Sequence, residues 1–211
     1  TMDGAGTRWM LDLARETGAV LTGSLIVRAG SRVHNRLVWA RPDGTLAHYD
    51  KRHLFRMAGE HERYAGGSER LIVEVHGWRV CPLVCYDLRF PVYSRNCFDA
   101  AAQRLDYDLL LYVANWPSPR RHAWRALLRA RAIENLAYCV GVNRVGVDGN
   151  QLPYAGDSVA LDYLGEAIVE LGSDAGVVTA RLSAERLATH RERFPAWMDA
   201  DAFALETRTR S

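Results

Sequence analysis

The 211-residue sequence lacks several features that would place it in other classes of protein. It has no Gly/Ser/Pro-rich linker, no low-complexity tract and no repeat of solenoid length, which excludes a repeat array and gives no reason to divide the chain. It also lacks an apolar run long enough to cross a bilayer, and a signal-peptide pattern at its start. We therefore expect one domain over residues 1–211, in the cytoplasm and without a membrane partner.

An imbalance of charge is absent as well. The sequence has 27 Lys and Arg residues against 25 Asp and Glu residues, a net charge of +2, which gives no electrostatic basis for binding nucleic acid. Cysteine is scarce, with four residues in all. Cys81 and Cys139 lie inside apolar stretches, which favours buried free thiols over a disulfide framework. Because Cys81 and Cys85 have no matching second pair at ligand spacing, we expect no metal site.

The sequence does contain a series of short strands with helices between them. Residues 108–114 and 137–142 are nearly continuous apolar runs, which are typical of strands covered on both faces. Residues 120–136 have the apolar spacing of a helix, and a second helix is predicted after Pro91. Residues 176–182 are predicted as the last strand. Buried strands that alternate with hairpins and helices favour a layered α/β sandwich.

Residues 83–91 give the clearest chemical signal. Cys85 ends an apolar strand, and polar residues and a predicted helix follow at once. Such a turn presents a side chain at the carboxyl edge of a sheet, while N–H groups of the helix point at the same place. These groups lower the pKa of a thiol and can hold an oxyanion, so Cys85 is a candidate nucleophile. An ordinary buried cysteine is the competing interpretation, and the commoner one for an arbitrary cysteine.

A second segment, residues 49–55, places Lys51 directly after a short strand. A lone lysine is usually a solvated surface charge, but a lysine beside a nucleophile can stabilise a tetrahedral oxyanion. His53 and His61 allow a Cys–His dyad, although no third group that would orient the histidine is identifiable. Glu60 and Glu62 lie in the long loop that follows, for which an exposed loop tip is the simplest interpretation.

Together these segments resemble the signatures of the nitrilase superfamily of carbon–nitrogen hydrolases, and most closely its bacterial omega-amidase branch. The resemblance extends from the first predicted helix to residues 194–197. It is carried by six collinear motifs, namely YDKRHLF (49–55), VCYDLRFP (84–91), ANWP (114–117), RARAIEN (129–135), VNRVG (142–146) and GDS (156–158) leading to LGE (164–166). One such motif would be weak, whereas the set in this order and spacing is specific.

The resemblance implies an α/β fold of the four-layer αββα sandwich type, a homodimer, and a Glu–Lys–Cys triad without a metal or organic cofactor. Cys85 would attack the amide carbon, and Lys51 and the Tyr86 N–H would hold the oxyanion. Ammonia would leave, and water would hydrolyse the resulting thioester. Glu60 is similar to the family's second glutamate, which holds the lysine in place, and Glu62 is the competing alignment.

The omega-amidase resemblance implies a small-molecule substrate, the terminal amide of a dicarboxylic acid monoamide such as 2-oxoglutaramate or 2-oxosuccinamate. Its free carboxylate requires a cation, for which Arg89, Arg120 and Arg121 are the candidates. Asn115 and Trp116 follow a buried strand and are expected to line the pocket. Another superfamily hydrolase, an N-carbamoyl amidase or a nitrilase, is the enzymatic alternative. A catalytically silent assembly module with the same fold is the alternative from another class.

The sequence departs from the family pattern at one point. The family's general-base glutamate follows its first strand and precedes the first helix, whereas this sequence opens almost directly on that helix. We therefore expect the first strand and the base glutamate to be absent from residues 1–211, as in a fragment rather than a naturally truncated relative. On that expectation, the 211 residues alone would not form a competent enzyme.

Overall fold

The computed structural model describes residues 1–205, with strands and helices alternating along the chain. The helices are α1 (Ala5–Thr17), α2 (Glu60–Arg63), α3 (Pro91–Ser94), α4 (Arg121–Glu134) and α5 (Ala184–Arg193), with 3-10 turns at Arg56–Ala58, Cys85–Arg89, Ser118–Arg120 and Ala196–Asp199. The strands are β1 (Leu21–Ala29), β2 (Arg32–Ala40), β3 (Leu46–Asp50), β4 (Val73–Val75), β5 (Trp78–Val84), β6 (Phe98–Asp99), β7 (Arg104–Leu105), β8 (Leu109–Ala114), β9 (Tyr138–Asn143), β10 (Val145–Val147), β11 (Pro153–Ala155), β12 (Val159–Leu161) and β13 (Ala167–Glu170).

Two main sheets carry the fold. The smaller is antiparallel with the order β1-β2-β3, and the larger has the order β13-β12-β9-β8-β5-β4. Within the larger sheet the three central strands β5, β8 and β9 are parallel, and the outer strands pair antiparallel. Parallel strands end at the same edge of a sheet, so the loops that leave β5 and β8 meet there.

The layers follow the order that the sequence resemblance implied. Helix α1 packs on β1 and β2, strand β2 contacts β5 of the larger sheet, and α4 packs on β9 and β12. The α/β sandwich with the layers helix, sheet, sheet and helix is therefore confirmed. Among residues 1–205, no helix combines the length and apolar character needed to span a membrane.

The core lies between the two sheets and under α4. Leu37 and Tyr49 of the smaller sheet pack in one cluster with strand residues of the larger sheet and with Trp124 and Leu128 of α4. Gly141 on β9 allows α4 to come close, because a Cβ at this position would lie 2.5 Å from the Leu128 side chain. Burial of apolar area of this kind is the main favourable contribution to folding.

The predicted strands at 108–114 and 137–142 correspond to β8 and β9, and the helix at 120–136 to α4. Cys81 and Cys139 are fully buried free thiols, as predicted.

Two other predicted elements are wrong. The helix expected after Pro91 is the single turn α3, because the chain then leaves for the β6–β7 hairpin. Residues 176–182 form no strand within the described part of the chain, and Val177 there is 100% exposed. Valine-rich composition favours a strand, but a strand also needs a paired neighbour.

Candidate active site

The sharp turn at the end of β5 presents Cys85. The backbone of Cys85 has φ 48°, a left-handed conformation that residues other than glycine rarely adopt. Strained strand-to-helix turns of this type hold a nucleophile at the carboxyl edge of a sheet. The parallel neighbour β8 ends beside it, and the Cys85 thiol donates to the Asn115 carbonyl oxygen at 3.8 Å. The thiol therefore lies where the ends of β5 and β8 meet.

The Cys85 thiol is held in its protonated form. Burial raises its pKa to about 11, the nearby Lys51 ammonium lowers it, and the Glu60 carboxylate raises it. Cys85 is partly exposed as a residue, and loss of solvent around its sulfur is the largest cause of the raised pKa. The expectation that the turn would lower the thiol pKa is therefore wrong, because loss of solvent outweighs the five-residue 3-10 turn.

This raised pKa predicts how Cys85 reacts with a neutral alkylating agent. Because only the thiolate is nucleophilic, the rate of iodoacetamide alkylation in the 211-residue chain should rise about tenfold per pH unit between about pH 6 and pH 9. Mass spectrometry of the peptide containing Cys85 would measure that rate. A plateau in the neutral range would contradict the prediction, since it would mean that the folded chain stabilises the thiolate.

Lys51 follows β3 directly and is almost fully buried, with 2% of its side chain exposed. Its ammonium donates to Glu60 Oε2 at 2.5 Å, and the same oxygen accepts the Phe55 N–H at 2.7 Å. Glu60 therefore fixes both the charged end of Lys51 and the loop that covers it. The Glu62 side chain is 71% exposed, so of the two glutamates Glu60 is the one that contacts the lysine.

The backbone of Lys51 is held on both sides. Its N–H donates to the Asn35 carbonyl at 2.9 Å, and its own carbonyl accepts the Gly67 N–H at 3.1 Å. A Cβ on residue 67 would lie 2.2 Å from the Asp50 carbonyl oxygen, so only glycine permits this close approach.

A simple sequence count would have singled out Lys51 without any family resemblance. Lys51 is the only lysine in the sequence, and the other 26 of its 27 Lys and Arg residues are arginines. An ammonium is a compact point charge, whereas a guanidinium is a planar fork, so the two are not interchangeable at a small buried site. The single lysine is therefore a candidate for a role that needs an ammonium.

Asp87 is the main residue near the site that sequence reasoning missed. Its fully buried carboxylate accepts hydrogen bonds from the Tyr49 hydroxyl (2.8 Å), the Val84 N–H (3.1 Å) and both the backbone N–H (3.1 Å) and Nδ1 (2.8 Å) of His53. The His53 ring also stacks on Phe90, with centroids 3.8 Å apart. An aspartate two residues after a strand-end cysteine was the available signal.

The Cys–His dyad does not form in the described part of the chain. His53 is oriented by Asp87, and no hydrogen bond joins it to Cys85. His61 lies 3.9 Å from the exposed Glu62, on the outer side of the loop. The carboxylate-bound histidine is therefore a structural pair at the base of the site.

Asn115 and Trp116 have different positions although they are adjacent. Asn115 is exposed and gives its carbonyl to the thiol. Trp116 is 3% exposed. Its backbone N–H donates to Asn143 Oδ1 at 2.7 Å, and its indole N–H donates to the Arg120 carbonyl at 2.8 Å. Trp116 therefore supports the wall of the site, and a role for Asn115 and Trp116 in lining the substrate pocket stays a prediction.

The three arginines that are candidates for binding the substrate carboxylate differ in the residues that they contact. Arg121 donates to both carboxylate oxygens of the buried Asp157, at 2.6 and 2.8 Å, so it is not available to a substrate. Arg120 lies over the Phe55 ring at 5.4 Å. Arg89 is exposed, lies over the Trp116 ring at 5.1 Å and makes no hydrogen bond or ion pair with the residues that the structure describes. Arg89 and Arg120 remain as candidates.

Tyr86 follows the nucleophile and adds an aromatic wall. Its ring packs against Phe55 and Phe90, with centroid separations of 4.9 and 5.1 Å. The wall therefore joins residues 49–55, the lysine segment, to the turn at Cys85–Arg89, the nucleophile turn.

A second buried ion pair braces the nucleophile turn from α4. Arg131 pairs with Glu134 at 2.9 Å, as helical spacing predicts, and also donates to the Leu88 carbonyl at 2.6 Å.

A cavity of about 600 Å³ lies elsewhere, between the β4–β5 turn, α5 and the Ala196–Asp199 turn. Of its three arginines, Arg79 and Arg191 direct their donors at Asp108 and at backbone carbonyls, so these two are already engaged. Within residues 1–205, no cluster of three or more His, Cys, Asp or Glu side chains could hold a metal ion.

Comparison with known proteins identifies the family to which this chain is similar. The carbon-nitrogen hydrolase family model matches residues 1–192. Omega-amidase YafV of Escherichia coli K12 is 52% identical over 198 residues, which are 93% of this chain and 75% of that protein. The 2-oxoglutaramate amidase of Bacillus subtilis is 34% identical over 193 residues, covering 90% of this chain and 72% of that protein.

Among solved structures, a carbon–nitrogen hydrolase superfamily protein from Xanthomonas campestris, with an arsenic adduct in its active site, matches with a TM-score of 0.95 and 58% identity. The match covers 97% of this chain and 78% of that one. The resemblance to the nitrilase superfamily is confirmed, and the chain belongs to the carbon–nitrogen hydrolase family.

Proposed function

We propose that this protein is an omega-amidase that releases ammonia from the terminal amide of a small dicarboxylic acid monoamide, such as 2-oxoglutaramate. The observation that carries the proposal is the buried Lys51 ammonium, held 2.5 Å from Glu60 and close enough to the strained Cys85 thiol to affect its pKa. The similarity to an omega-amidase and to a 2-oxoglutaramate amidase supports this choice of substrate class.

In the proposed reaction, Cys85 Sγ forms a bond to the amide carbon and the carbonyl oxygen becomes an oxyanion. The Lys51 ammonium and the Tyr86 N–H hold that negative charge. The amide nitrogen takes a proton and leaves as ammonia, so a thioester remains on Cys85. Water then adds to the thioester, and the acid leaves as the sulfur regains its proton.

The proton of the thiol has to be withdrawn as the C–S bond forms, because the thiol pKa lies at about 11. The family resemblance gives this role to a glutamate that would precede α1. Glu60 holds Lys51 in place, and its second oxygen is free of hydrogen bonds to the residues described here, so it can assist proton transfer.

The substrate class is tested by comparing ammonia release from 2-oxoglutaramate with turnover of an N-carbamoyl amino acid and of a nitrile, all in the complete natural chain. An omega-amidase should turn over the monoamide with the highest kcat/KM. A higher kcat/KM for the N-carbamoyl compound would identify the protein as an N-carbamoyl amidase, and a higher value for the nitrile would identify it as a nitrilase. No turnover of any of them would favour the assembly module.

We assign the free carboxylate of the substrate to Arg89, because Arg121 is bound to Asp157 and the Arg89 guanidinium makes no hydrogen bond or ion pair within residues 1–205. A charge-assisted hydrogen bond contributes about 1.5–3 kcal/mol, so Arg89→Gln should raise KM for 2-oxoglutaramate about 10- to 100-fold with little change in kcat. A neutral monoamide without the carboxylate should show no such change. If Arg120→Gln has the larger effect on KM, the assignment moves to Arg120.

We further propose that the protein acts in the cytoplasm as a homodimer, as the resemblance implies. Ile133 on α4 is 51% exposed and lies beside the loop that carries the 53%-exposed Leu164, so two exposed apolar side chains lie close together on this outer face. Light scattering of the purified protein would give its mass. A monomer at micromolar concentration would contradict the proposal.

A further inference from the structure

We propose that Asp87 is a positioning residue that holds Lys51 and Cys85 at their working separation. Lys51 and Cys85 lie on different sheets and are far apart in sequence, so the chain between them does not fix their distance. Asp87 belongs to the nucleophile turn and binds the lysine segment. The proposal rests on the proposed function only in its kinetic part.

The carboxylate of Asp87 receives bonds from residues on both sides of the lysine. Tyr49 lies two residues before Lys51, and its hydroxyl donates at 2.8 Å. His53 lies two residues after Lys51 and donates from its backbone at 3.1 Å and from Nδ1 at 2.8 Å. Three hydrogen bonds to one buried carboxylate therefore bracket Lys51 and fix the end of β3 against the end of β5.

The same carboxylate closes the strained turn around Cys85. The N–H of Val84, the residue before the nucleophile, donates to Asp87 Oδ2 at 3.1 Å. Cys85 lies between these two residues with its φ of 48°. A strained backbone persists only where its surroundings over-determine it, and this bond spans the strained residue.

Asp87 does not act as an acid or a base in this arrangement. Its side chain is fully buried, and its four donors match the roughly four lone-pair sites of a carboxylate. Burial and then the charge of Asp87 raise the pKa of Tyr49, so the Tyr49 hydroxyl stays protonated and donates. An ionised carboxylate only accepts, so His53 Nδ1 carries hydrogen. All four hydrogen bonds therefore fix the positions of the segments that they join.

The first test is Asp87→Asn, which replaces one acceptor oxygen by a donor of the same size. Either the Val84 N–H or the His53 N–H then loses its acceptor. Since a displacement of about 1 Å can reduce the rate about 100-fold, kcat should fall by up to about 100-fold while KM changes by less than about threefold. The rate at which a small amine-reactive acetylating reagent modifies Lys51 should rise. Mass spectrometry of the peptide that contains Lys51 would measure this rate.

Asp108→Asn is the matched control. Asp108 also accepts several bonds from distant segments, from Arg79 and Arg191, but it lies away from the site at the cavity beside α5. It should lower the melting temperature and leave kcat per folded molecule and Lys51 acetylation unchanged. A purely structural role for Asp87 would make the two variants alike, and that outcome would overturn the proposal.

A second pair of variants decides the matter if Asp87→Asn does not fold. The His53→Leu variant keeps an apolar side chain beside Phe90 but loses the Nδ1–H donor, so kcat should fall about tenfold. The His53→Asn variant places an amide N–H near the former Nδ1 position and should restore kcat to within about threefold. Equal activity of the two would overturn the proposal. Lys51 acetylation needs no amide substrate, so it keeps this result separate from a failure of the proposed omega-amidase activity.

Discussion

Replacement of Cys85 by alanine is expected to abolish ammonia release from 2-oxoglutaramate and to leave the fold intact. Without the sulfur no thioester forms, and loss of a nucleophile reduces kcat by roughly 10⁴-fold or more. Cys85→Ser should be nearly as inactive, since a serine hydroxyl is still harder to deprotonate. The Cys85 side chain is small and partly exposed, so the free energy of unfolding should change by less than about 1 kcal/mol. Kinetics and thermal unfolding in the complete natural chain would measure both effects.

The other buried cysteines provide the control for this experiment. Cys81 on β5 and Cys139 on β9 are fully buried in the larger sheet. Alanine at either position should lower the free energy of unfolding by about 0.5–3 kcal/mol through loss of packing, and leave kcat per folded molecule unchanged. Ordinary turnover by the Cys85→Ala protein would remove Cys85 from the chemistry.

Replacement of Lys51 has the second largest expected effect. An ammonium that stabilises the oxyanion acts mainly in the transition state, so Lys51→Ala should lower kcat by about 100- to 1000-fold with a much smaller change in KM. It also leaves Glu60 without its cation, so some loss of stability is expected. Steady-state kinetics at matched concentrations of folded protein separate the two losses.

The variant Lys51→Arg keeps the charge and tests the geometry. The site leaves 2% of the lysine side chain exposed, which gives no room for a planar guanidinium, so arginine should not restore kcat. The Arg191→Ala variant removes a cation that is also bound to a carboxylate but lies far from the site, and should cost stability alone. An unchanged kcat in Lys51→Ala would exclude an electrostatic role for the lysine.

The sequence was sufficient to predict the features that depend on local pattern. Cys85 and Lys51 each follow a strand directly, and the apolar runs of β8 and β9 identify strands covered on both faces. The helix expected after Pro91 failed for a tertiary reason, because one turn is enough before the chain pairs as β6 and β7. Helix propensity is a property of the local sequence, whereas the length of the helix depends on the tertiary contacts around it.

Features that depend on long-range contacts could not be predicted. The four donors of Asp87 come together only when β3 and β5 approach, so the composition of neither segment reveals them. In the same way, Arg120 and Arg121 are equivalent in sequence, and Asp157 separates them by binding only the latter. The raised pKa of Cys85 is of this kind as well, because it depends on how closely the folded chain packs around the sulfur.

A resting thiol that keeps its proton also affects how the protein withstands oxidants. Peroxides and disulfides react with thiolates, and with a pKa of about 11 only about one Cys85 in ten thousand is a thiolate at neutral pH. Formation of a sulfenic acid at this sulfur should therefore be slow compared with an ordinary exposed cysteine. Because the sulfur becomes reactive while its proton is withdrawn during turnover, we expect oxidation of Cys85 between turnovers to be slower than oxidation of an exposed cysteine.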